Sequence, residues 1–255
     1  MAATSGFGFG IDIGGSGIKG APVDLDAGRL SENRLRIDTP KPSTPDAIAG
    51  VVGEIVRHFD WHGPVGVTLP TVVKQGVART AANIDPSWIG TDADALFAKQ
   101  LERSEDDVAM LNDADAAGIA EVRYSHPEAN NGVTALITFG TGIGSALFLH
   151  GKLVPNTEFG HLEVDGDDAE HRAAASIKDE QGLSYPEWAE RVDRYLSVLE
   201  DLISPDRIIV GGGVSKKSDK WVPLLHTRST VLVATRQNDA GIVGAALAAA
   251  EGIEH

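Results

Sequence analysis

One motif limits what this chain can become more than any other: strand, glycine turn, strand, met twice about half a chain apart. In the first copy an apolar stretch, Phe7-Gly8-Phe9-Gly10-Ile11, leads into Asp12 to Gly20 (DIGGSGIKG), and a new strand runs from Ile18 through Val23. In the second, Val133 to Phe139 (VTALITF) leads into Gly140-Thr141-Gly142-Ile143-Gly144, then Ser145 to Leu149 and a turn at His150-Gly151. Glycine lets the backbone approach a phosphate closely, and consecutive N–H groups can point at its oxygens. A carboxylate at the strand end, Asp12, can hold a hydrated magnesium ion beside that phosphate. Taken alone, either turn is equally an ordinary tight hairpin. The first is not a Walker A loop, because GxxxxGK[ST] is absent there. Two hairpin-led halves, each followed by helices, predict an internally duplicated α/β protein.

Further strands end in turns at Gly63 to Leu69 and at Arg207 to Val210, the latter followed by Gly211-Gly212-Gly213. Thr44 and Pro45 open a helix whose apolar face is Ile48, Val51, Val52, Ile55, Val56 and Phe59. Ser184 and Pro186 open another, with Trp188, Val192, Tyr195, Leu196, Leu199 and Ile203 on one face and Pro205 as its stop. Asp107 to Asn112 reads as a short buried strand, followed by a helix from Asp113 to Tyr124. Ser125 to Gly132 reads as a surface turn. Small residues fill a last helix from about Ala240 to Ala250, which permits close packing.

Composition excludes several classes. The chain of 255 residues carries a formal net charge of −15, so it lacks the basic footprint of a nucleic-acid binder. No apolar run is long enough to span a membrane, and MAATSGFGFG lacks the basic and apolar regions of a secretory signal. A cytoplasmic protein is the expectation. The chain has no cysteine, so disulfides and thiolate metal sites are ruled out. Its acidity opposes any polyanionic substrate unless positive charge is concentrated locally.

The candidate chemistry sits at strand ends. Asn112 and Asp113 lie where a buried strand becomes a helix, and backbone dipoles there favour an anion. Asp113 fits a general base, and either residue fits a plain helix cap. Asp115 is the neighbouring competitor and is expected to point away. Glu158-Phe159-Gly160-His161 can aim two polar side chains at one small ligand, or form a solvated loop with the acidic run Glu163, Asp165, Asp167 and Asp168. That run lacks the glutamate spacing of an EF-hand. Lys216, Lys217 and Lys220 follow the triple glycine, with Arg228 soon after. A basic cluster beside a glycine turn is informative in so acidic a chain, although any single lysine there fits a solvated loop.

In that order, DIGGSGIKG, LND, GTGIG, EFGH and GGGVS resemble the ROK family of sugar kinases and repressors, within the actin-like ATPase and hexokinase superfamily. The wording GIDIGGSGIKGAPVDLDAG, ANIDPSWIGT, PNTEFGHLEV, DKWVPLL and NDAGIVGAA resembles those members that phosphorylate glucose from inorganic polyphosphate. The resemblance covers essentially the whole chain. It implies an α/β, duplicated actin-like ATPase/hexokinase (ribonuclease H-like) fold, with two domains and a central cleft. The domains expected are a small N-terminal one at 1–112, with the C-terminal helix at about 240–255 packed back on it, and a larger one at 113–239. It implies transfer of a terminal phosphoryl group to the 6-hydroxyl of glucose, with Mg2+ as cofactor and a homodimer as the assembly.

By that resemblance Asp113 matches the catalytic base, and Asn112, Glu158 and His161 match sugar-binding positions, with Glu170 as a further sugar-binding glutamate. Asp12 matches the metal position. Gly14, Gly15, Ser16, Gly17 and Lys19, with Gly140, Thr141, Gly142 and Gly144, match the phosphate turns. Gly212 and Gly213 fall in the GGGVS turn, where relatives hold a nucleotide, and Lys216 and Lys217 are expected on a polyphosphate path with Lys220 and Arg228. Lys178 and Arg172 are outlying candidates. Typical members carry a cysteine-rich zinc motif after the EFGH-like segment. With no cysteine here, zinc is not expected, and His161 is expected to serve the sugar while packing and hydrogen bonds hold the loop. A ROK repressor would carry a DNA-binding segment before the first hairpin, and a non-catalytic sugar-binding regulator would have lost the base. An ATP-dependent kinase for mannose or another hexose stays open, because no local feature reads hydroxyl stereochemistry.

Overall fold

In the computed structural model, residues 6–81 and 84–253 are described. Ala82 and Asn83 of the ANIDPSWIGT segment lie outside them, as do residues 1–5, 254 and 255. The chain forms two compact units, one of residues 1–120 with 238–255 and the other of residues 121–237. The division falls inside a helix rather than at its start, and the first unit is the longer of the two.

The first unit is built on a six-stranded sheet. Strands β1 (Phe7–Ile13) and β2 (Ile18–Asp24) form the predicted hairpin, and β3 (Arg29–Leu30) and β4 (Leu35–Ile37) pair with β2. On the other side of β1 lie β5 (Val65–Leu69) and, beyond a small hairpin of β6 (Val73–Lys74) and β7 (Val77–Ala78), β8 (Val108–Asn112). Both β1–β5 and β5–β8 are parallel. Every residue of β5 is buried, which explains its near-continuous apolar reading. Helix α1 (Pro45–His58) buries Ile48, Val52, Ile55 and Val56 in the same core as Phe9, Ile11, Val65 and Val67. Helix α2 (Ala93–Leu101) is capped by Asp92, whose side chain accepts from the Ala95 N–H, and buries Phe97. Helix α3 (Asp113–Tyr124) follows β8 without a loop.

The second unit repeats the plan. Strands β9 (Val133–Phe139) and β10 (Ile143–Leu149) form the hairpin, and β11 (Lys152–Val154) pairs with β10. Two short strands, β12 (Glu163–Val164) and β13 (Asp167–Asp168), make a separate ribbon. Helices α4 (Glu170–Ala173), α5 (Ala175–Glu180) and α6 (Tyr185–Ile203) follow. Beside β9 run β14 (Arg207–Gly211) and β15 (Thr230–Val233), both parallel, as β5 and β8 are to β1. Ser184 and Glu187 form a capping box on α6, whose Trp188, Val192, Tyr195, Leu196 and Leu199 are buried with Phe139 and Trp221. The lysine-rich segment, for which a solvated loop was one reading, is largely a 3₁₀ helix, Gly213–Lys220.

The chain then returns to the first unit in α7 (Ala240–Glu251). A Cβ at Gly10 would run into the carbonyl of Ile242, and one at Gly66 into that of Ala245. Glycine on β1 and β5 is thus what lets the helix backbone lie directly on the strands. Among the described residues, no helix is long and apolar enough to cross a membrane.

Candidate active site

The first unit places its site residues along the ends of β1, β5 and β8. Asp12 stands opposite Lys19 on β2 and beside Thr68 on β5. Lys19 Nζ lies 2.9 Å from Asp12 Oδ2, and Thr68 Oγ1 donates to Asp12 Oδ1 at 3.1 Å. Thr68 is fully buried and also accepts from the Ile13 N–H, so the carboxylate is fixed from two sides. A single fixed carboxylate suits Mg2+, which keeps most of its water shell.

The glycine turn differs from the expectation in one respect. Gly14 donates its N–H to the Gly17 carbonyl at 3.1 Å, so this group closes the turn instead of pointing outward. Gly15 and Ser16 form the exposed apex, and Gly17 is buried beneath the Arg36 guanidinium. Arg36 also donates to the Ser16 carbonyl at 2.8 Å and to Asp38 at 2.6 Å. Sequence reading missed Arg36 and Thr68. A lone threonine in the apolar run of β5 was the available signal for Thr68.

At the β8–α3 junction the two cap candidates separate. Asn112 Oδ1 accepts from the N–H groups of Ala114 (2.8 Å) and Asp115 (3.3 Å), and its Nδ2 donates to the Thr71 carbonyl. Asn112 is therefore the helix cap. Asp115 is fully buried. Asp113 is exposed, and one of its oxygens accepts from the Ala114 N–H at 2.9 Å.

In the second unit, the EFGH loop is pinned to β10. Ser145 donates to the Thr157 carbonyl at 2.6 Å and accepts from the Phe159 N–H at 2.9 Å. A Cβ at Gly160 would strike the Ile143 carbonyl, so the glycine lets the loop touch the strand. His161 Nδ1 is 2.9 Å from Asp168 Oδ2, and Asp168 Oδ1 accepts from the Glu170 N–H at 3.0 Å. Ligand atoms of His161, Asp168 and Glu170 lie within 4.8 Å of one another. Hydrogen bonding to Asp168 raises the His161 pKa above its ordinary value, against partial burial and with help from nearby Glu170 and Glu158. Burial raises the pKa of Glu158, which His161 partly offsets and Glu170 reinforces. Asp168, read from sequence as part of an acidic surface run, is the anchor of this cup.

The second glycine turn is less open than expected. Gly140 donates its N–H to the Gly142 carbonyl. A Cβ at Gly142 would strike the Glu170 carboxylate, which also accepts from the Ile143 N–H at 3.2 Å. Gly144 is a strand residue paired with Thr138, not part of the turn. Ser176 donates its N–H to the Gly140 carbonyl and its hydroxyl to the Thr141 carbonyl, which ties the turn to α5. Gly212 has φ +85°, and a Cβ there would strike the Phe139 carbonyl. A cavity of about 400 Å³ opens beside Gly140 and Thr141, walled also by Lys178, Tyr185, Gly213 and Lys217.

The expected cations sort into two groups. Lys217 lines this cavity, and Lys216 is exposed and not among its walls. Arg228 is paired with Glu200 and Asp201, and Arg172 with Asp165.

A family model for the ROK family matches residues 8–176. The chain belongs to the ROK family. It is 54% identical over 254 residues to polyphosphate glucokinase of Mycobacterium tuberculosis (strain ATCC 25618 / H37Rv), covering 100% of this chain and 95% of that protein. Among solved structures, the inorganic polyphosphate/ATP-glucomannokinase of Arthrobacter sp. strain KM superposes with a TM-score of 0.90 at 46% identity, covering 97% and 100% of the two chains. A ROK family glucokinase from Streptomyces griseus, solved with glucose and AMPPNP, gives a TM-score of 0.80 at 24% identity over 97% of this chain and 100% of that one. The actin-like ATPase fold expected from the motifs is the fold of these relatives, and the repeated sheet order agrees with its duplication.

Proposed function

We propose that this chain is a glucokinase that moves the terminal phosphoryl group of inorganic polyphosphate to the 6-hydroxyl of glucose, with ATP as a second donor. The 54% identity to a polyphosphate glucokinase over 254 residues supports donor and acceptor. The observation that carries the catalytic role is the β8–α3 junction. Asn112 takes the cap, Asp115 is buried, and Asp113 is the carboxylate left exposed.

Asp113 accepts the proton of the 6-hydroxyl as that oxygen bonds to the terminal phosphorus. The bond from phosphorus to its bridging oxygen breaks, and the donor leaves one phosphate shorter. Glu158, His161 and Glu170 hold sugar hydroxyls, His161 being oriented by Asp168. The second hydrogen of the Asn112 amide serves the sugar as well. Gly15, Ser16, Thr141, Gly213 and Lys217 are assigned to donor phosphates. Asp12 would hold Mg2+, which would supply charge neutralisation on the transferred group. Phosphoryl transfer needs mainly positioning and charge stabilisation, which these groups provide.

The test is production of glucose 6-phosphate by purified protein with magnesium and either donor. No product with either sinks the proposal. Asp113→Asn should keep glucose binding, measured by calorimetry, while kcat falls about 10²–10⁴-fold, as for a lost general base. Turnover near that of the unmodified protein would remove Asp113 from this role. A second acceptor, mannose, is favoured by the likeness to a glucomannokinase, and the same assay with mannose decides it. A cytoplasmic homodimer is the expected setting, and light scattering on the purified protein tests the assembly.

A further inference from the structure

The cavity of the second unit contains an arrangement that this function does not by itself require. Lys178 Nζ lies 4.6 Å from the centroid of the Tyr185 ring, and Lys220 Nζ lies 5.5 Å from the same centroid. Tyr185 and Lys178 both wall the cavity beside Gly140 and Thr141, together with Lys217. The Lys178 side chain is only 15% exposed, and Asp179 pairs with it at 3.0 Å. Three ammonium groups thus converge on one cavity and its edge in a chain of net charge −15. Such a concentration has to be held together, because like charges repel. The face of an aromatic ring does so, attracting cations through its quadrupole.

The ring also limits what else can bind. A tyrosine on a cavity wall commonly stacks on a flat base. Here ammonium groups already lie over the ring, so a base has to displace them. A linear polyanion meets them directly.

We propose that Tyr185, acting through Lys178 and Lys220, selects the phosphoryl donor. The lysines hold phosphates of the donor other than the one transferred, so that long inorganic polyphosphate is retained in preference to a nucleotide. Tyr185 is a positioning residue, and the lysines are the binding groups. The inference rests on the phosphotransferase reading above.

The experiment compares Tyr185→Leu, Tyr185→Phe and the double variant Lys178→Gln/Lys220→Gln with the unmodified protein. KM is measured for long-chain polyphosphate, ATP and glucose, and polyphosphate binding is measured separately by calorimetry without glucose. Tyr185→Leu and the double variant should each raise the polyphosphate KM about tenfold or more, the scale of a lost desolvated cation contact, and weaken calorimetric binding alike. KM for ATP and glucose should move by less than about threefold, because neither uses these cations heavily. Tyr185→Phe should stay near the unmodified protein, since it keeps the ring. The salt dependence of polyphosphate binding should flatten in Tyr185→Leu and the double variant, because fewer counterions are released.

Equal rises for polyphosphate and ATP, no rise at all, or a Tyr185→Phe that behaves like Tyr185→Leu would each overturn the inference. If Tyr185→Leu does not fold, the double lysine variant decides, because it leaves the ring in place. If the unmodified protein makes no glucose 6-phosphate from either donor, the kinase reading fails. Calorimetry on the variants then still judges the polyphosphate element.

Discussion

Where the first hairpin sets Asp12 between Lys19 and Thr68 across three strands, the second sets Thr138 between Gly144 and Gly211. The backbone positions correspond, because sheet order and strand directions repeat. The side chains do not. The first row carries an anion, a cation and a hydroxyl, while the second carries one hydroxyl and no charge. Its acid comes from outside the sheet, where Glu170 accepts the Ile143 N–H. Its cations come from α5 and the 3₁₀ helix after β14. Duplication of a fold has therefore preserved geometry and divided the chemistry. One turn is a fixed charged device, and the other borders a cavity.

The contrast breaks most readily at its centre. Asp12→Ala should lower kcat about 10²–10³-fold, the range for losing one preorganised electrostatic group. Thr138→Ala at the matching register should change kcat by less than about threefold, as a site without charge to lose. Comparable losses in the two would show that the turns share their chemistry.

A second contrast concerns the glycines themselves. Gly212→Ala should destabilise the protein by about 2–4 kcal/mol in urea unfolding, because φ is positive and the obstruction is backbone. The nearest atoms that Gly17→Ala meets belong to the Arg36 side chain, which can move, and the change should cost less than about 1 kcal/mol. The reverse ranking would mean that the first turn, not the one after β14, is the rigid one.

The acid cup of the second unit gives a pH signature of its own. In the proposed function Glu158 accepts sugar hydroxyls as a carboxylate, and burial raises its pKa. The glucose KM should thus rise on acidification from a pH above the ordinary glutamate value of 4.5. His161→Gln removes the charge that offsets this shift, so the limb should move to still higher pH. A limb that stays in place would separate the two residues.

The smallest effect lies at Asp168. It raises the His161 pKa, so Asp168→Asn should bring that titration, followed by NMR, back toward 6.5. The sign for stability follows from protonation being favoured in the folded state. The contribution is present in full below 6.5 and disappears as pH rises through the raised value.

Much of this frame was legible because local sequence encodes it. Apolar runs leading into glycine turns marked β1, β9 and β14. Ser184 and Pro186 marked the start of α6. What stayed hidden depends on distant partners. Thr68 matters because β5 lies beside β1, and Asp168 because a short ribbon returns it to His161. Arg228 looked like part of a phosphate path until Glu200 and Asp201, well upstream, were seen to hold it. Tyr185 was not singled out from the sequence. Its ring mattered once α5 and the 3₁₀ helix had brought lysines over it.

The seating of α7 on β1 and β5 has a consequence for synthesis. The second unit is one uninterrupted segment, so it can be complete as soon as residue 237 has left the ribosome. The first unit is not. Its opening strands are translated early, yet the helix that covers Gly10 and Gly66 comes last. Until then those strands wait with a bare face, the condition in which nascent chains depend most on chaperones. The half of the molecule made first is thus the half finished last.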